Sequence, residues 1–266
     1  MGSRFSDNDP WQNFKRLTPA RIALGRAGGS LPTQAWLEFK YAHALARDAV
    51  HRTFDAEPVQ AAITALGASI LVVDSRAEDR STYLTRPDLG RRLSDASRHL
   101  LESRAKDADL VIIVSDGLSS EAVHRQTVPL MKELLPRLQD GGWRMAPVVI
   151  ARFGRVALED EIGALLKARI ALMLLGERPG LGSPDSLGAY LVHTPKPGNT
   201  DADRNCVSNI RPEGLSHESA AETLFYLLAE ARRRGHSGVA LKDERPALAN
   251  QSASGILDRR EKADSQ

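Results

Sequence analysis

The chain has 266 residues, of which 42% are hydrophobic and 26% are charged, and its formal net charge is +2. This composition is typical of a globular protein with one large domain and excludes wholesale disorder. With aromatic residues at only 5%, neither a strong phosphate-binding surface nor a set of base-stacking platforms is indicated. No apolar run approaches the roughly 20 residues that cross a bilayer, and residues 1–14 lack the pattern of a secretory signal. We therefore expect neither a nucleic-acid nor a membrane partner.

Cysteine and histidine, the usual metal-binding residues, are sparse. Cys206 is the only cysteine, which excludes a disulfide within this chain and a thiolate zinc cluster. The 7 histidines include no H-x-x-x-H pair, so we expect no metal site. These features predict a cytosolic protein.

The N-terminal part of the chain predicts an arm followed by a long helix. The stretch "RLTPARIALGRAGGSLPT" precedes a helix that we predict from Thr33 to Thr53. Apolar residues recur there every three or four positions, which predicts one buried stripe: Trp36, Leu37, Tyr41, Ala44, Leu45 and Ala49. We treat residues 1–56 as a separate N-terminal segment.

From about residue 57 the sequence alternates between helical patterns and short apolar runs. The apolar runs lie at 69–74, 109–117, 145–154 and 168–177, and the helical patterns at 57–66, 87–105, 118–138 and 159–167. Continuous apolar runs separated by helices are typical of parallel strands that are covered on both faces. Residues 57–242 are therefore predicted to form an α/β domain with a doubly wound, Rossmann-like, mostly parallel sheet.

The C-terminal part predicts two additional edge strands, at 189–193 and 205–210, and a last helix at 216–234. Gly235 is expected to end that helix. The polar residues 243–266 are predicted to form a flexible tail.

In a doubly wound sheet, ligands bind outside the carboxyl ends of the strands. Two stretches predicted at that edge offer groups for an anion or a carbonyl. "SDGLSSEAV" (115–123) presents backbone N–H groups at the start of a helix, although it is equally typical of a plain helix cap. "RFGRV" (152–156) presents Arg152 and Arg155, although a solvated turn has the same pattern.

Two further stretches at this edge carry a carboxylate and a thiol. In "LLGERPGLG" (174–182), Glu177 follows a glycine and predicts either a hydrogen-bond acceptor for a ligand or a surface ion pair with Arg178. In "DADRNCVSNIRPEG" (201–214), Cys206 is a nucleophile if His193 or His217 lies beside it, and otherwise a small packing residue. The nucleotide-binding glycine motifs and the G-x-S-x-G elbow do not occur, so these residues alone do not identify the ligand.

Several motifs in one order resemble those of a known family. They are "TPARIALGRAGGSLPTQAWLEFKYAHALARDAVH", "SDGLSS", "GERPGLGSPDSL" and "DRNCVSNI". Together they resemble the light (small) subunit of ethanolamine ammonia-lyase, from about Thr18 to Gly238. The resemblance implies a hetero-oligomer of light and heavy chains that uses adenosylcobalamin to convert ethanolamine to acetaldehyde and ammonia by a radical route.

The resemblance also implies a division of labour between the two chains. The heavy chain carries the substrate site, and this chain completes the cobalamin site without a catalytic residue or a metal ligand of its own. By position within the matching motifs, the cobalamin contacts carry over to Val156 in "FGRV", Glu177 in "GERPG" and Cys206 in "DRNC". The implied roles are apolar or backbone contact at Val156, hydrogen-bond acceptance by Glu177 and close packing at Cys206. Residues 1–56 are then expected to pack on the heavy subunit.

The chain departs from the family's pattern in two respects, and two other functions are compatible with its residues. Some relatives have a longer N-terminal extension that is associated with packaging into a bacterial microcompartment, whereas this chain reaches "WQNF" within about a dozen residues. No D-x-H-x-x-G motif is present, so the resemblance implies that the cofactor's own base stays on cobalt. The alternatives are a stand-alone cysteine-dependent hydrolase and a non-catalytic scaffold for the heavy subunit.

Overall fold

A computed structural model describes residues 10–15, 17–18, 20–104 and 107–245. Within these residues, six strands form one sheet: β1 Ile70–Asp74, β2 Leu110–Ser115, β3 Val148–Arg152, β4 Ile170–Gly176, β5 Leu187–His193 and β6 Arg204–Ile210. The helices are α1 Pro10–Phe14, α2 Thr33–His51, α3 Ala56–Ala65, α4 Arg80–Thr85, α5 Asp95–Glu102, α6 Ser120–Asp140, α7 Leu158–Leu165 and α8 His217–Arg234. The predicted tail from residue 246 onward and the first nine residues lie outside the described part.

The strands follow the order β1-β3-β2-β4-β5-β6 across the sheet. The first four of these strands pair in parallel, whereas β5 is antiparallel to both β4 and β6. The prediction of an α/β fold with a mostly parallel sheet is confirmed at this level. One detail is wrong, because the run at 189–193 belongs to an internal strand that lies between β4 and β6, so that of these two only β6 forms an edge.

The predicted helix at 87–105 is also wrong, because the chain forms two short pieces there. These are a 3₁₀ turn at Leu89–Arg91 and α5, and the separate helix α4 precedes them. Asp79 caps α4 by accepting a hydrogen bond from the Thr82 N–H, and Ser94 caps α5 by accepting one from the Ser97 N–H. Pro87 lies between α4 and the 3₁₀ turn, and proline disfavours helical geometry in the residue before it. The segment therefore starts a second helix instead of continuing the first.

Two apolar layers cover the sheet, one on each face. The central strand β2 contributes Leu110, Ile112 and Val114 to the layer that contains α3, α6 and α8. It contributes Val111 and Ile113 to the layer that contains α5 and α7. All residues of β2 and β4 are buried, which is why their sequences read as continuous apolar runs.

The apolar stripe of α2 is mostly exposed in this chain, so the prediction that the stripe is buried is wrong for the chain alone. Four of its large side chains form what we call the exposed α2 face: Trp36, Leu37, Tyr41 and Leu45. Tyr41 is 67% exposed, whereas the smaller Ala42 and Ala49 are buried against the domain. Among the described helices, none has both the length and the apolar character needed to cross a membrane.

Candidate functional site

A cavity of about 450 Å³ opens at the carboxyl ends of β3 and β4. It is lined by Tyr83, Leu118, Arg155, Val156, Leu175, Gly176, Glu177, Arg178 and Tyr190. The chain leaves β2 into α6 on one face of the sheet and leaves β3 into α7 on the other. Such a divergence of loops at strand ends is where open α/β sheets bind ligands. The cavity is therefore the candidate site.

Two of the three predicted contact residues, Val156 and Glu177, line this cavity together. The third, Cys206, does not line the cavity. It pairs across the β5–β6 ladder with Tyr190, which does line the cavity. The sequence had placed these residues in separate loops. The sheet order brings them to one edge because β3 and β4 flank β2 and β5 follows β4.

Two glycines bring the loop after β2 against the end of β4. Gly117 has a φ of +54°, and a Cβ atom added to it would lie 2.4 Å from the Gly176 carbonyl oxygen. A Cβ on Gly176 would lie 2.1 Å from the Ser119 carbonyl oxygen. The Leu118 N–H donates a 2.8 Å hydrogen bond to the Gly176 carbonyl. Gly176 thus admits a neighbouring loop, which fixes the backbone immediately before Glu177.

The Glu177 carboxylate is held by one of its oxygens. Oε2 accepts hydrogen bonds from the Ser186 hydroxyl and from the Asn209 N–H, the latter at 3.2 Å. Within the described part of the chain, Oε1 accepts no hydrogen bond and Glu177 makes no ion pair with Arg178, so the predicted surface pair is not formed. The carboxylate is oriented by its own neighbours and keeps one acceptor for a ligand.

The loop that carries Val156 is anchored to a buried tyrosine. The Arg155 guanidinium lies 4.1 Å from the centroid of the Tyr83 ring and donates a 2.9 Å hydrogen bond to the Tyr83 carbonyl. The Tyr83 hydroxyl donates to the Gly154 carbonyl at 3.2 Å, and burial raises its pKa, so it stays a neutral donor. Arg152 instead forms a paired hydrogen bond with Asp74 and does not line the cavity. Of the two arginines in "RFGRV", only Arg155 belongs to the site.

The stretch "SDGLSS" serves mainly to build this edge of the sheet. Ser119 caps α6 by accepting a hydrogen bond from the Ala122 N–H at 3.2 Å, as the cap alternative predicts. Asp116 accepts a 2.7 Å hydrogen bond from the Phe153 N–H and a 3.0 Å one from Arg80 Nη1. Burial raises the pKa of Asp116 to about 6, and Arg80 acts against this shift. The loop after β2 therefore supports the loop after β3.

The geometry around Cys206 does not support a nucleophile. Desolvation raises the pKa of Cys206, although the neighbouring Tyr190 hydroxyl acts in the opposite direction, and reactive thiols need a lowered pKa. His193 lies three positions beyond Tyr190 on β5, roughly 10 Å along the strand. His217 is hydrogen-bonded to Gln126 on α6 at 2.8 Å. Cys206 is exposed, so its predicted packing against a ligand stays a prediction.

Sequence reasoning missed Tyr83, Arg80 and Tyr190. Tyr83 and Arg80 lie in α4, a segment for which the sequence predicted no element, and they reach the site through contacts of more than 35 residues in separation. Tyr190 stood in a predicted strand, and alternation along β5 would have placed it on the same face as Gly188. Among the described residues, no group of three or more histidine, cysteine or acidic side chains is arranged to hold a metal ion.

Comparison with known proteins identifies the family. A family model described as "Ethanolamine ammonia-lyase light chain (EutC)" matches residues 8–242. This chain belongs to that family. An ethanolamine ammonia-lyase small subunit from Pseudomonas fluorescens is 53% identical over 251 residues, which cover 93% of this chain and 92% of the relative. One from Azotobacter vinelandii is 55% identical over 240 residues, 89% of each chain, and one from Xanthomonas campestris is 53% identical over 252 residues, 92% of this chain and 93% of the relative.

These matches confirm the resemblance predicted from the motifs. They also bear out the main functional hypothesis, a subunit of a lyase, and nothing in them favours the hydrolase or the scaffold. Each relative is named a small subunit, which implies a larger subunit as its partner.

Proposed function

We propose that this chain completes an adenosylcobalamin site in an ethanolamine ammonia-lyase whose substrate site lies on a large subunit. The observation that carries the proposal is that Val156 and Glu177, which come from separate family motifs, line the same cavity at the strand ends. When bound, adenosylcobalamin supplies the radical chemistry that converts ethanolamine to acetaldehyde and ammonia.

The residues at the cavity fit a large, amide-fringed ring. Glu177 offers a free carboxylate oxygen for an amide N–H, and the half-buried Tyr190 brings a neutral hydroxyl, since burial raises its pKa. Val156 and Leu175 supply apolar contact. Pockets for drug-sized ligands measure roughly 300–1,000 Å³. At about 450 Å³ the cavity holds the edge of such a ring, and we assign the remainder of the site to the partner.

Each contact residue has a task that follows from its surroundings. Glu177 is oriented by Ser186 and Asn209 and therefore binds an amide without first losing side-chain freedom. Val156, on a loop pinned by Tyr83, excludes water from one side of the ring. Neither residue transfers a proton, which agrees with a chain that binds and positions the cofactor while the reaction takes place on the large subunit.

We propose that the exposed α2 face binds the large subunit. Four large apolar side chains on one helix face would be costly to leave in water, and such patches usually mark interfaces. A groove of about 700 Å³ lies beside it and is lined in part by Tyr41, Leu45, Arg125 and Asp185. Residues 1–56 are then the docking segment, in a hetero-oligomer of paired light and heavy chains.

The strand order β1-β3-β2-β4, with α6 and α7 on opposite faces, supports our proposal that residues 57–242 form a doubly wound, Rossmann-like, cobalamin-contacting domain. The flexible tail at 243–266, a cytosolic location and packaging in a microcompartment stay predictions.

The test compares the purified chain, the large subunit and their mixture. We expect ethanolamine-dependent release of acetaldehyde only in the mixture, and tight binding of adenosylcobalamin, followed by absorbance, only in the assembled complex. If the large subunit alone binds the cofactor with the affinity of the complex, this chain does not complete the site. Esterase or amidase activity of the chain alone would favour the hydrolase.

A further inference from the structure

Arg80 lies where three parts of the molecule meet. Its side chain is 15% exposed and that of its partner Asp116 is 2% exposed. Arg80 Nε donates a 2.7 Å hydrogen bond to the Val50 carbonyl, in the last turn of α2. Arg80 Nη1 donates to Asp116 Oδ2 at 3.0 Å and to the Gly117 carbonyl at 2.6 Å. One guanidinium therefore joins α2 to the loop after β2.

Asp116 extends this connection to the loop that carries Val156. Its second oxygen, Oδ1, accepts a 2.7 Å hydrogen bond from the Phe153 N–H, and the neighbouring Ser115 hydroxyl accepts one from the Gly154 N–H at 2.9 Å. Phe153 has a φ of +56°, a conformation that is unfavourable for a residue with a side chain and persists only when its surroundings hold it. These two hydrogen bonds hold that turn.

The second acceptor of Arg80, the Gly117 carbonyl, leads to Glu177. Gly117 packs directly on the Gly176 backbone, and Leu118 donates to the Gly176 carbonyl. The loop of Val156 and the backbone before Glu177 are thus both joined to the Arg80–Asp116 pair by short chains of hydrogen bonds and packing contacts. On the other side, the pair reaches the helix that bears the exposed α2 face.

We propose that Arg80 and Asp116 are positioning residues that connect the exposed α2 face to the cavity lined by Val156 and Glu177, so that subunit docking and cofactor binding strengthen each other. The inference rests on the proposed function, because it takes the cavity as the cofactor site and α2 as the docking helix. Coupling of this kind is reciprocal: if docking tightens cofactor binding by some factor, the cofactor tightens docking by the same factor. Within the described residues, Arg80 Nη2 is buried without a hydrogen-bond partner, so the pair has an unused donor in the single chain.

The same strand provides a matched control at its other end. Asp109, just before β2, has a side chain that is 10% exposed and pairs with Arg144, with 3.0 Å between Oδ1 and Nη2. It lies at the amino end of β2, whereas the cavity opens at the carboxyl ends of the strands. A buried aspartate with an arginine partner is therefore present at both ends of β2, but only Asp116 is joined to α2 and to the site.

The experiment uses the complex of this chain with its large subunit. Asp116→Asn keeps the size of the side chain but replaces one of the two acceptor oxygens with an NH₂ donor. The asparagine side chain therefore cannot accept hydrogen bonds at both positions, from Arg80 and from the Phe153 N–H. We expect the dissociation constant of adenosylcobalamin to rise about tenfold in the Asp116→Asn complex and to change less than twofold for Asp109→Asn. Equal effects of the two variants would overturn the proposal.

A second measurement isolates the coupling and uses Arg80→Lys, which keeps the charge but lacks the forked donors. Dissociation constants for the two subunits are measured with and without adenosylcobalamin. In the wild type we expect the cofactor to tighten association, and in the variant we expect this factor to be smaller, because the direct contacts of the cofactor with both subunits remain but the connection through Arg80 is lost. An unchanged factor in the variant would overturn the coupling. A wild-type complex in which the cofactor does not affect association, or one that binds no cofactor, would overturn the proposed function, because a chain that completes the site must be bound more tightly when the cofactor is present.

Discussion

At the scale of single residues, the site is defined by groups that are fixed before any ligand arrives. The Glu177 carboxylate is oriented by Ser186 and Asn209, and the loop of Val156 by Tyr83. Fixing these groups in the protein reduces the entropy that binding must otherwise cost. Side chains that touch no reacting atom can therefore still decide how tightly a large cofactor binds.

Replacing Glu177 with alanine tests this directly. Loss of an acceptor that the cofactor covers leaves the ligand donor unpaired, which costs about 1–3 kcal/mol, so the dissociation constant of adenosylcobalamin for the complex should rise about 5- to 150-fold. Glu222→Ala is the control, because Glu222 is exposed on α8 in the opposite layer and pairs only loosely with Arg137. Wild-type cofactor affinity in the Glu177→Ala complex would remove Glu177 from the site.

Asp116 predicts a specific dependence of stability on pH. Burial raises its pKa from 3.8 to about 6, so the folded chain binds this proton more tightly than the unfolded chain does. The stabilising contribution of the group is therefore present below about pH 4 and is lost as the pH rises through about 6. Relative to Asp116→Asn, the free energy of unfolding of the wild type should fall by about 2 kcal/mol between about pH 4 and 7 in urea titrations. A difference that is constant over this range would contradict the raised pKa.

At the scale of secondary-structure elements, the strands and α2 were predicted close to their observed bounds, but the burial of the α2 stripe was not. β2 and β4 were located because both of their faces are buried, which leaves a continuous apolar run. The periodicity of α2 was recognised correctly, but periodicity shows only that a helix has an apolar face. It does not show whether that face is covered by the same chain or by another one.

Tyr41→Ala tests whether the exposed α2 face is an interface. Tyr41 is 67% exposed, and alanine favours the helix, so the variant should fold normally. We expect the dissociation constant for the large subunit to rise at least tenfold if Tyr41 is a central contact. Arg47→Ala is the control, because Arg47 is also exposed on α2 but lies about 120° from Tyr41 around the helix axis. Equal binding by the two variants would place the interface elsewhere.

At the scale of the whole molecule, α2 and the arm before it lie on a packed α/β domain. The arm before α2 reaches the domain through a hydrogen bond from Arg21 to the Leu181 carbonyl at 3.3 Å. Because the arm precedes the docking helix, we expect the large subunit to cover it.

Limited trypsin digestion tests the arm. Cleavage after Arg21 and Arg26, both on the arm, should be about tenfold slower in the complex than in the isolated chain, because a packed segment must open before it is cut. Cleavage after Lys242, which is exposed beyond α8, serves as the internal control. Equal rates at the arm in both states would contradict its burial against the partner.

The sequence by itself determined the family, the α/β class, the location of the six strands, and the positions of Val156 and Glu177 at strand ends. The family follows from the resemblance of several motifs in one order. The class, the strands and the strand ends follow from local patterns, because burial on both faces and turn chemistry determine the residue types within a few positions. Only the tertiary structure decided that Val156 and Glu177 share one cavity, that Tyr190 stands between that cavity and Cys206, and that Arg80 reaches Asp116 and Val50. Those relations depend on the order of strands in the sheet and on contacts between side chains that are far apart in the sequence. A local sequence pattern determines neither of these.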